Sequence, residues 1–355
     1  MYTLCVESII GQRRAIDSLL RATEEGRRHH AWIFSGPFGV GKYTTAIEFA
    51  KTLLCKGSFT GDKNPDLHVI KKEDVVWSNN PALKRRKQTN IPLDLLRERM
   101  IGGVTSDGKQ HDALAYKTAV RSKEKVFIID EAELLDEAGQ NALLKTLEEP
   151  PLGTTVILVT SREDLLLPTI VSRCHAVPFA PLSDDEMWNW VSDLDFKCSP
   201  SELSWAVSFS SGSPGLLIES VDSGLPMLAE ELADFLLCKK NQVYVDVSAT
   251  LISFVESNVT RWTKENPNAS KESANRKAVN LVLLLFGSAA RSHIRGGVNM
   301  DSVNVSTDCV VGISLAGLLV DIERELSTNI SVKVLLESLA ARWSSLSVGD
   351  AVFMP

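Results

Sequence analysis

Short apolar runs alternate with segments of helical periodicity from the start of the chain to about residue 178. The clearest apolar runs are Ala31–Phe34, Val126–Ile129 and Val156–Val159. Because they lack polar alternation, these runs predict strands buried on both faces of a parallel sheet. Tyr43–Leu54 and Leu134–Leu147 show helical periodicity. This alternation predicts an α/β domain, a parallel sheet with flanking helices, over residues 1–178.

The pattern changes at Pro178 and Pro181, which interrupt the chain and predict the end of the α/β domain. Short helical stretches after these prolines indicate a small helical domain over residues 179–223. Longer helical stretches then indicate an all-α domain over residues 224–355. Three domains fit a chain of 355 residues.

Composition excludes several classes of protein. With 44% hydrophobic and 23% charged residues, the chain has the profile of a globular protein with apolar cores. The longest dense apolar run, Leu281–Phe286, is too short to cross a bilayer, and Met1–Glu7 lacks the pattern of a secretory leader. We therefore expect a cytoplasmic protein without a membrane partner. The net charge of −7 argues against a free-standing nucleic-acid-binding module, which usually has a basic face.

The cysteines are scattered along the chain, and no two lie close together. The six are Cys5, Cys55, Cys174, Cys198, Cys238 and Cys309. This spacing argues against a disulfide framework and against a zinc site built from four thiolates. We therefore expect no zinc, and we expect the thiols to pack as small hydrophobic side chains.

A glycine-rich segment, Gly36–Lys42, follows the first predicted strand and precedes a predicted helix. At such a position backbone N–H groups form a concave nest, to which the helix N-terminus adds positive potential. Lys42 is then placed to reach the outer phosphates of a nucleotide. The alternative is an ordinary glycine-rich turn. The flanking elements favour a nucleotide-binding loop formed by Gly36, Gly39, Gly41 and Lys42.

The residue after this lysine departs from the motif, which requires Ser or Thr there because the hydroxyl ligates Mg²⁺. This chain has Tyr43, whose rigid ring cannot place its oxygen where a serine hydroxyl lies. Thr44 and Thr45 do not replace it, because successive helical residues point about 100° apart. Thr44 remains a candidate for a phosphate contact. The loop is therefore expected to accept ATP or ADP and to hold Mg²⁺ poorly.

Polar residues follow two of the predicted strands. Asp130 and Glu131 end the strand Val126–Ile129, where an Asp can orient Mg²⁺ and a Glu can polarise the attacking water. The alternative is that both carboxylates stabilise a helix N-terminus. Thr160 ends the next strand and is a candidate for positioning water near a γ-phosphate. A turn cap is an equally good interpretation of Thr160.

Two longer segments carry a family resemblance. Val126–Pro151, with Lys125 before it, and Thr169–Cys174 resemble the bacterial clamp-loader ATPases, a branch of the AAA+ proteins. The Asn141–Pro151 segment and the Ser-Arg-Cys triplet are specific to that family. Weaker similarities occur at Ile10–Gln12, Asn64–His68 and Pro92–Met100. The resemblance covers residues 6–220 well and extends to the last third only in its helical character.

The resemblance implies a subunit with an AAA+ domain, a helical lid and a helical collar that joins a hetero-pentameric ring. Its partners in the ring would be motor and delta subunits of the loader of DNA polymerase III. The sliding clamp and primer-template DNA would be met through the assembly. Arg173 would act in trans as an arginine finger on the ATP of the neighbouring subunit. A guanidinium suits that role, because it is always charged and its fork matches phosphate oxygens. A surface salt bridge is the alternative for Arg173.

Departures from the family pattern favour a subunit of the delta-prime type. Motor subunits carry a Gly-Ser-x-Arg segment in the lid, whose arginine senses ATP, and here Gly215 holds that position. Motor subunits also carry a four-cysteine zinc module, and delta-prime subunits often do too; here Cys55 alone remains, so no zinc is expected. Tyr43 and Gly215 are two separate losses, and both indicate a scaffold whose own ATPase is weak or absent. The alternative is an active AAA+ motor, either gamma/tau-like or acting elsewhere, because Lys42, Asp130 and Glu131 are all present.

The segment 71–110 differs from the rest of the first domain in its polar character, and only Pro92–Met100 within it shows helical periodicity. Lys84–Lys87 form a basic cluster that is able to contact phosphate. We interpret it as a solvated loop, because runs of like charge usually are.

Overall fold

The structure is a computed structural model, and it describes residues 9–24, 29–54, 64–84, 89–238, 244–266, 270–296, 307–326, 328 and 330–347. Cys5, Cys55 and residues 85–87 of the basic cluster lie outside the described residues. The chain forms two compact units: unit 1 is Met1–Lys197 with Ser210–Ile218, and unit 2 is Cys198–Phe209 with Glu219–Pro355. The division into three domains stays a prediction.

Five parallel strands form the sheet of unit 1. They are β1 (Ala31–Ser35), β2 (Leu67–Ile70), β5 (Lys125–Ile129), β6 (Thr154–Thr160) and β7 (His175–Pro178). Their spatial order is β2-β5-β6-β1-β7. A short antiparallel pair, β3 (Gly103–Val104) and β4 (Gln110–His111), is separate from this sheet. The three strands predicted from apolar runs are therefore confirmed, and the predicted parallel α/β fold is confirmed with them.

Helices connect the parallel strands, as crossover connections require. Those of unit 1 are α1 (Arg13–Glu24), α2 (Lys42–Leu54), α3 (Pro81–Lys84), α4 (Leu93–Leu96), α5 (Glu137–Glu148), α6 (Pro168–Val171) and α7 (Asp184–Ser192). Two further helices, α8 (Pro200–Ser210) and α9 (Pro214–Ser223), contribute residues to both units.

Both faces of the sheet are buried, as the uniformly apolar strands predict. On β1, Ala31 and Ile33 belong to one apolar core, whereas Trp32 and Phe34 belong to the other. The alternation arises because successive side chains of a strand point to opposite faces. Neither face of the central strands therefore needs polar residues.

Two predicted helices differ from the observed ones. The helix predicted from Leu134 begins at Glu137, because Asp136 caps it by accepting a hydrogen bond from the Gly139 N–H at 2.7 Å. A single 3-10 turn, Ala132–Leu134, comes before this cap. Pro92–Met100 forms the short helix α4 and then a π-helical turn over Arg97–Ile101.

Unit 2 is helical throughout its described residues, as predicted. Its helices after α9 are α10 (Leu225–Glu231), α11 (Ala233–Leu236), α12 (Tyr244–Glu265), α13 (Lys271–Gly296), α14 (Thr307–Leu326) and α15 (Val332–Ser347). The last four form a bundle in which α12 and α14 each contact both α13 and α15. Phe286 and Trp343 pack edge to face in its core, with ring centroids 4.7 Å apart. Among the described helices, none is long and apolar enough to span a membrane.

Candidate functional site

The glycine-rich segment lies between β1 and α2, where the sequence predicted a nucleotide-binding loop. Gly36, Gly39 and Gly41 all have positive φ angles, of 148°, 75° and 95°. The loop enters α2 at Lys42, and the hydroxyl of Thr45 donates a hydrogen bond to the Gly41 carbonyl at 2.9 Å. These conformations build the curved backbone that a phosphate-binding loop needs.

Lys42 is buried at the base of this loop. Its ammonium donates hydrogen bonds to the carbonyls of Gly36 at 2.7 Å and Pro37 at 2.5 Å, and to the Ser161 hydroxyl at 3.2 Å. Burial lowers the pKa of Lys42 to about 8, although the negative charges of Glu133 and Asp130 act in the opposite direction. A cation so poorly hydrated has a strong electrostatic preference for an anion.

The loop is fastened to the segment that carries Gly215. The Ser213 hydroxyl donates to the Phe38 carbonyl at 2.8 Å, and the Gly215 N–H donates to the Gly39 carbonyl at 2.9 Å. A Cβ atom on Gly215 would lie 2.7 Å from the Cα of Gly39, a distance that side chains essentially never show. An arginine at position 215 therefore requires this backbone contact to open.

Gln12 holds the other side of the loop. Its side-chain amide donates to the carbonyls of Val40 at 3.2 Å and Ala180 at 2.6 Å, and its oxygen accepts from the Ala180 N–H at 3.3 Å. The φ angle of Gln12 is 54°, in the left-handed region that few residues other than glycine adopt. This backbone strain is consistent with a fixed positioning role.

A lysine contacts two residues of the motif, Tyr43 and Asp130. The ammonium of Lys71 lies 3.8 Å from the centroid of the Tyr43 ring and 3.5 Å from Oδ2 of Asp130. Burial alone would lower the pKa of Lys71, but Tyr43 and Asp130 outweigh it and raise the pKa. Lys71 is therefore a firmly protonated cation between the motif's hydroxyl position and its carboxylate.

The second carboxylate is also paired. The ammonium of Lys72 lies 2.7 Å from Glu131, whose backbone is left-handed with a φ angle of 51°. Strand register explains both pairs. Ile70 of β2 is paired with Ile129 of β5, so the two lysines that follow β2 emerge beside the two carboxylates that follow β5.

Mg²⁺ does not fit this arrangement. The ion needs oxygen ligands in near-octahedral geometry, whereas the Lys71 ammonium lies 3.5 Å from Asp130 and over the ring of Tyr43. A fixed ammonium also repels a divalent cation. Among the residues that the structure describes, no group of three or more His, Cys, Asp or Glu side chains is placed to hold a metal ion. The curved loop and the Lys42 ammonium are the groups that a phosphate-binding site needs, and phosphate binding stays a prediction.

Two other predicted site residues lie at the edge of this arrangement. Thr160 is buried, and its hydroxyl oxygen accepts a hydrogen bond from the Arg162 N–H at 3.1 Å, which is a turn-capping contact. Its neighbour Ser161, rather than Thr160, contacts Lys42. Thr44 is exposed in the first turn of α2. Roles for Thr160 and Thr44 toward a phosphate stay predictions.

Arg173 lies apart from the phosphate loop, after the short helix α6. Its guanidinium forms an ion pair with Glu148 at 2.7 Å and donates a hydrogen bond to the Thr169 carbonyl at 2.8 Å. The side chain is 35% exposed. The neighbouring Cys174 packs against the core, and burial raises the pKa of its thiol to about 12. Within the triplet, Ser172 and Arg173 are exposed, and the arginine is the one that carries a charge.

Comparison with known proteins finds similarity over the first part of the chain. Residues 11–183 match the family model described as DNA polymerase III, delta subunit. This part of the chain is therefore similar to subunits of DNA polymerase III. The chain is 30% identical over 195 residues to the DNA polymerase III gamma subunit of Buchnera aphidicola, covering 53% of this chain and 49% of that one. It is also 30% identical over 171 residues to the delta-prime subunit of Bacillus subtilis, covering 48% of each chain.

The chain thus spans about half the length of these curated clamp-loader relatives. A solved structure is also similar, that of a DNA polymerase III gamma subunit-related protein from Thermotoga maritima. The match covers 94% of this chain and 99% of that protein's chain. Its sequence identity is 18% and its TM-score is 0.48.

Sequence reasoning missed several residues around the loop and the carboxylates: Gln12, Lys71, Lys72, Glu133 and Ser161. Glu133 accepts from the Ser161 N–H at 3.1 Å, and its Oε2 is buried with no hydrogen-bond partner among the described residues. The sequence did contain a signal for Lys71 and Lys72, which follow the short apolar stretch Leu67–Ile70. Had Leu67–Ile70 been predicted as a strand beside Val126–Ile129, the residues after the two strands would have been adjacent.

Proposed function

We propose that this chain acts as a delta-prime-like subunit of the clamp loader, as a scaffold and as a trans arginine-finger donor. Its partners in the cytoplasm are the motor and delta subunits, in a hetero-pentameric ring that loads the sliding clamp onto primer-template DNA. ATP turnover in the ring is then the work of the motor subunits. The similarity to DNA polymerase III subunits supports the assembly, and the site supports the division of labour.

The observation that carries this proposal is the position of Lys71 between Tyr43 and Asp130. Phosphoryl transfer depends on electrostatic stabilisation by a bound metal. A site that contains an ammonium and an aromatic ring at the metal position is poorly suited to that chemistry. The pairing of Glu131 with Lys72 adds a second obstacle, because it engages the carboxylate that would polarise water.

The position of Arg173 supports the trans role. The guanidinium is partly exposed and lies on the short segment after β6, while its neighbours Ile170 and Cys174 pack inward. An arginine finger supplied across an interface stabilises charge that develops on the γ-phosphate of the partner's nucleotide. Glu148 then serves as a resting partner for Arg173.

Two observations favour the alternative of an active motor. Lys42, Asp130 and Glu131 are present, and the similar proteins include a gamma subunit. Hydrolysis by the isolated chain discriminates between the two functions, because a motor retains Mg²⁺-dependent turnover that Lys42→Ala abolishes.

Reconstitution tests the proposed function. The wild-type chain or its Arg173→Ala variant is mixed with wild-type motor and delta subunits, and the complex is confirmed by size-exclusion chromatography. The variant should assemble normally, while clamp- and DNA-stimulated ATP turnover at the one neighbouring site falls by roughly 10³-fold or more, the size of arginine-finger effects in GTPases. The total turnover of the ring falls by the share of that site. Arg173→Lys should rescue little, because an ammonium lacks the planar fork.

The matched control is Arg162→Ala, which removes an exposed arginine paired with Asp164 at 2.9 Å. This variant should assemble and hydrolyse ATP like the wild type. If an intact ring with Arg173→Ala hydrolyses ATP and loads clamps at the wild-type rate, the arginine is structural. Failure of the wild-type chain to join the ring would refute the scaffold role.

A further inference from the structure

We infer that this loop binds the polyphosphate of a nucleotide without a divalent metal, with the Lys71 ammonium as a built-in cation in the metal's place. The inference rests on the proposed function and deepens it, because it assigns a ligand and a mode of binding to the silent site. Nucleotide then acts as a structural component of the subunit.

The Lys71 ammonium has a fixed position. It is held from two sides, by the face of the Tyr43 ring at 3.8 Å and by the Asp130 carboxylate at 3.5 Å. An aromatic face attracts a cation, and this attraction is stronger when the cation is desolvated. The side chain is 35% exposed, so it retains an open side. The ammonium is therefore both fixed and accessible.

Two lysines, Lys42 and Lys71, interact with one carboxylate. The Lys71 ammonium lies 3.5 Å from the Asp130 carboxylate, and the charge of the same carboxylate also acts on Lys42. In a metal-dependent loop, one lysine and one divalent ion share the phosphate charge. Here two lysines take that role. A single positive charge replaces the double charge of Mg²⁺, and it is carried by the chain itself.

The loop and Lys42 supply hydrogen-bond donors for an anion. Lys42 donates to the carbonyls of Gly36 and Pro37, both on the loop, at 2.7 and 2.5 Å. A phosphate oxygen is a stronger acceptor than a carbonyl because it is charged. The anion therefore replaces these two contacts at a net gain. The loop N–H groups and the start of α2 complete the binding surface.

The experiment measures binding of ATP and of ADP to the full-length chain by isothermal titration calorimetry, in Mg²⁺ and in EDTA. We expect the two dissociation constants to agree within about two-fold for each nucleotide. Lys71→Met should weaken binding in EDTA by roughly ten-fold or more, the effect of losing one charge-assisted contact. Tyr43→Thr combined with Lys71→Met should bind better in Mg²⁺ than in EDTA.

Lys117→Met is the matched control, since it removes a lysine that pairs with Asp112 at 2.6 Å on the surface. This control should bind nucleotide like the wild type. Thermal unfolding of each variant, followed by circular dichroism, verifies that it folds.

Wild-type binding that requires Mg²⁺, or no nucleotide binding in either buffer, would overturn the inference. The comparison of binding in Mg²⁺ and in EDTA uses the wild-type chain alone. It therefore tests the inference even where Lys71→Met does not fold. Ring assembly measured on the same preparation reports on the proposed function separately. A chain that joins the ring but binds nucleotide only with Mg²⁺ refutes this inference alone.

Discussion

The guanidinium of Arg173 lies 2.7 Å from Oε1 of Glu148, the last residue of α5. The pair connects the Ser-Arg-Cys triplet to the end of the Asn141–Pro151 segment, the two stretches that carry the family resemblance. Both side chains are substantially exposed, at 35% and 48%. Water therefore screens their attraction, which limits what the pair contributes to stability.

We predict that the Arg173–Glu148 pair contributes little to folding. A double-mutant cycle with Arg173→Ala and Glu148→Gln should give a coupling free energy between about 0 and 1 kcal/mol. Urea unfolding of the four proteins measures it. The pair Arg162–Asp164 is the control and should give a value in the same range. A coupling of several kcal/mol would assign Arg173 a structural role and remove the reason for expecting it to move to a partner.

We predict that restoring the motif's hydroxyl is not enough to restore hydrolysis. In Tyr43→Thr, the Lys71 ammonium remains beside Asp130 and continues to exclude Mg²⁺. Steady-state phosphate release by the isolated variant should therefore stay at the level of the inactive Lys42→Ala background. Robust Mg²⁺-dependent turnover by Tyr43→Thr would show that the tyrosine alone silences the site. The same turnover by the wild-type chain would contradict the scaffold function.

We predict that Gly215 cannot accept even a methyl group without loss of stability. The new Cβ would lie 2.7 Å from the Gly39 Cα, so the backbone contact must open. Gly215→Ala should lower the free energy of unfolding by about 1–3 kcal/mol, as overpacking usually does.

Gly317→Ala is the matched control for Gly215→Ala. Gly317 also lies in a helix, α14, but nothing approaches within 4 Å of its added Cβ. This variant should gain roughly 0.5–1 kcal/mol, because alanine favours a helix over glycine. Equal responses of the two variants in urea unfolding would mean that the Gly39–Gly215 contact does not limit position 215.

We predict that Lys42 makes stability rise with pH between about 8 and 10.5. Burial lowers its pKa to about 8 in the folded chain, against 10.5 as the ordinary value. Within this window the unfolded chain binds more protons than the folded one, so raising the pH favours folding. Lys42→Met should remove this component, and Lys51→Met, at the ion pair with Glu48, should keep it.

Binding of a phosphate group should have the opposite pH dependence. The affinity of the loop for ADP should fall as the pH rises through about 8, because the Lys42 ammonium loses its proton. The charges of Asp130 and Glu133 act on the Lys42 ammonium, and the Ser161 hydroxyl accepts a hydrogen bond from it. These three groups are present in the unfolding measurement and in the ADP titration alike. Unfolding curves and ADP titrations between about pH 8 and 10.5 measure how the free energy of unfolding and the affinity for ADP change with pH. If neither quantity changes with pH, Lys42 keeps its ordinary pKa.

The sequence predicted the fold where a residue pattern has one structural meaning. Val126–Ile129 and Val156–Val159 are uniformly apolar, and only a strand covered on both sides accommodates them. The strand Leu67–Ile70 was missed because it is short and contains His68, and only Ile70 is buried. The beginning of α5 was misplaced because a turn with the left-handed Glu131 precedes its cap.

The site was predictable only in its local parts. Gly36, Lys42 and Asp130 belong to short motifs that can be read from adjacent residues. The contact of Ser213 with Phe38 joins residues 175 positions apart, and no local pattern encodes it. Lys71 was likewise invisible as a site residue, because its meaning depends on which strand lies beside β2.

The contact that joins Tyr43, Lys71 and Asp130 also limits how this chain can change over evolutionary time. Replacing the tyrosine alone leaves the ammonium where a metal would bind, and replacing the lysine alone leaves a half-buried carboxylate without its cation. Under the proposed function, neither first substitution alone returns hydrolysis. Two changes 28 positions apart in the sequence must then occur together. The proposed scaffold role is therefore difficult to reverse by single substitutions.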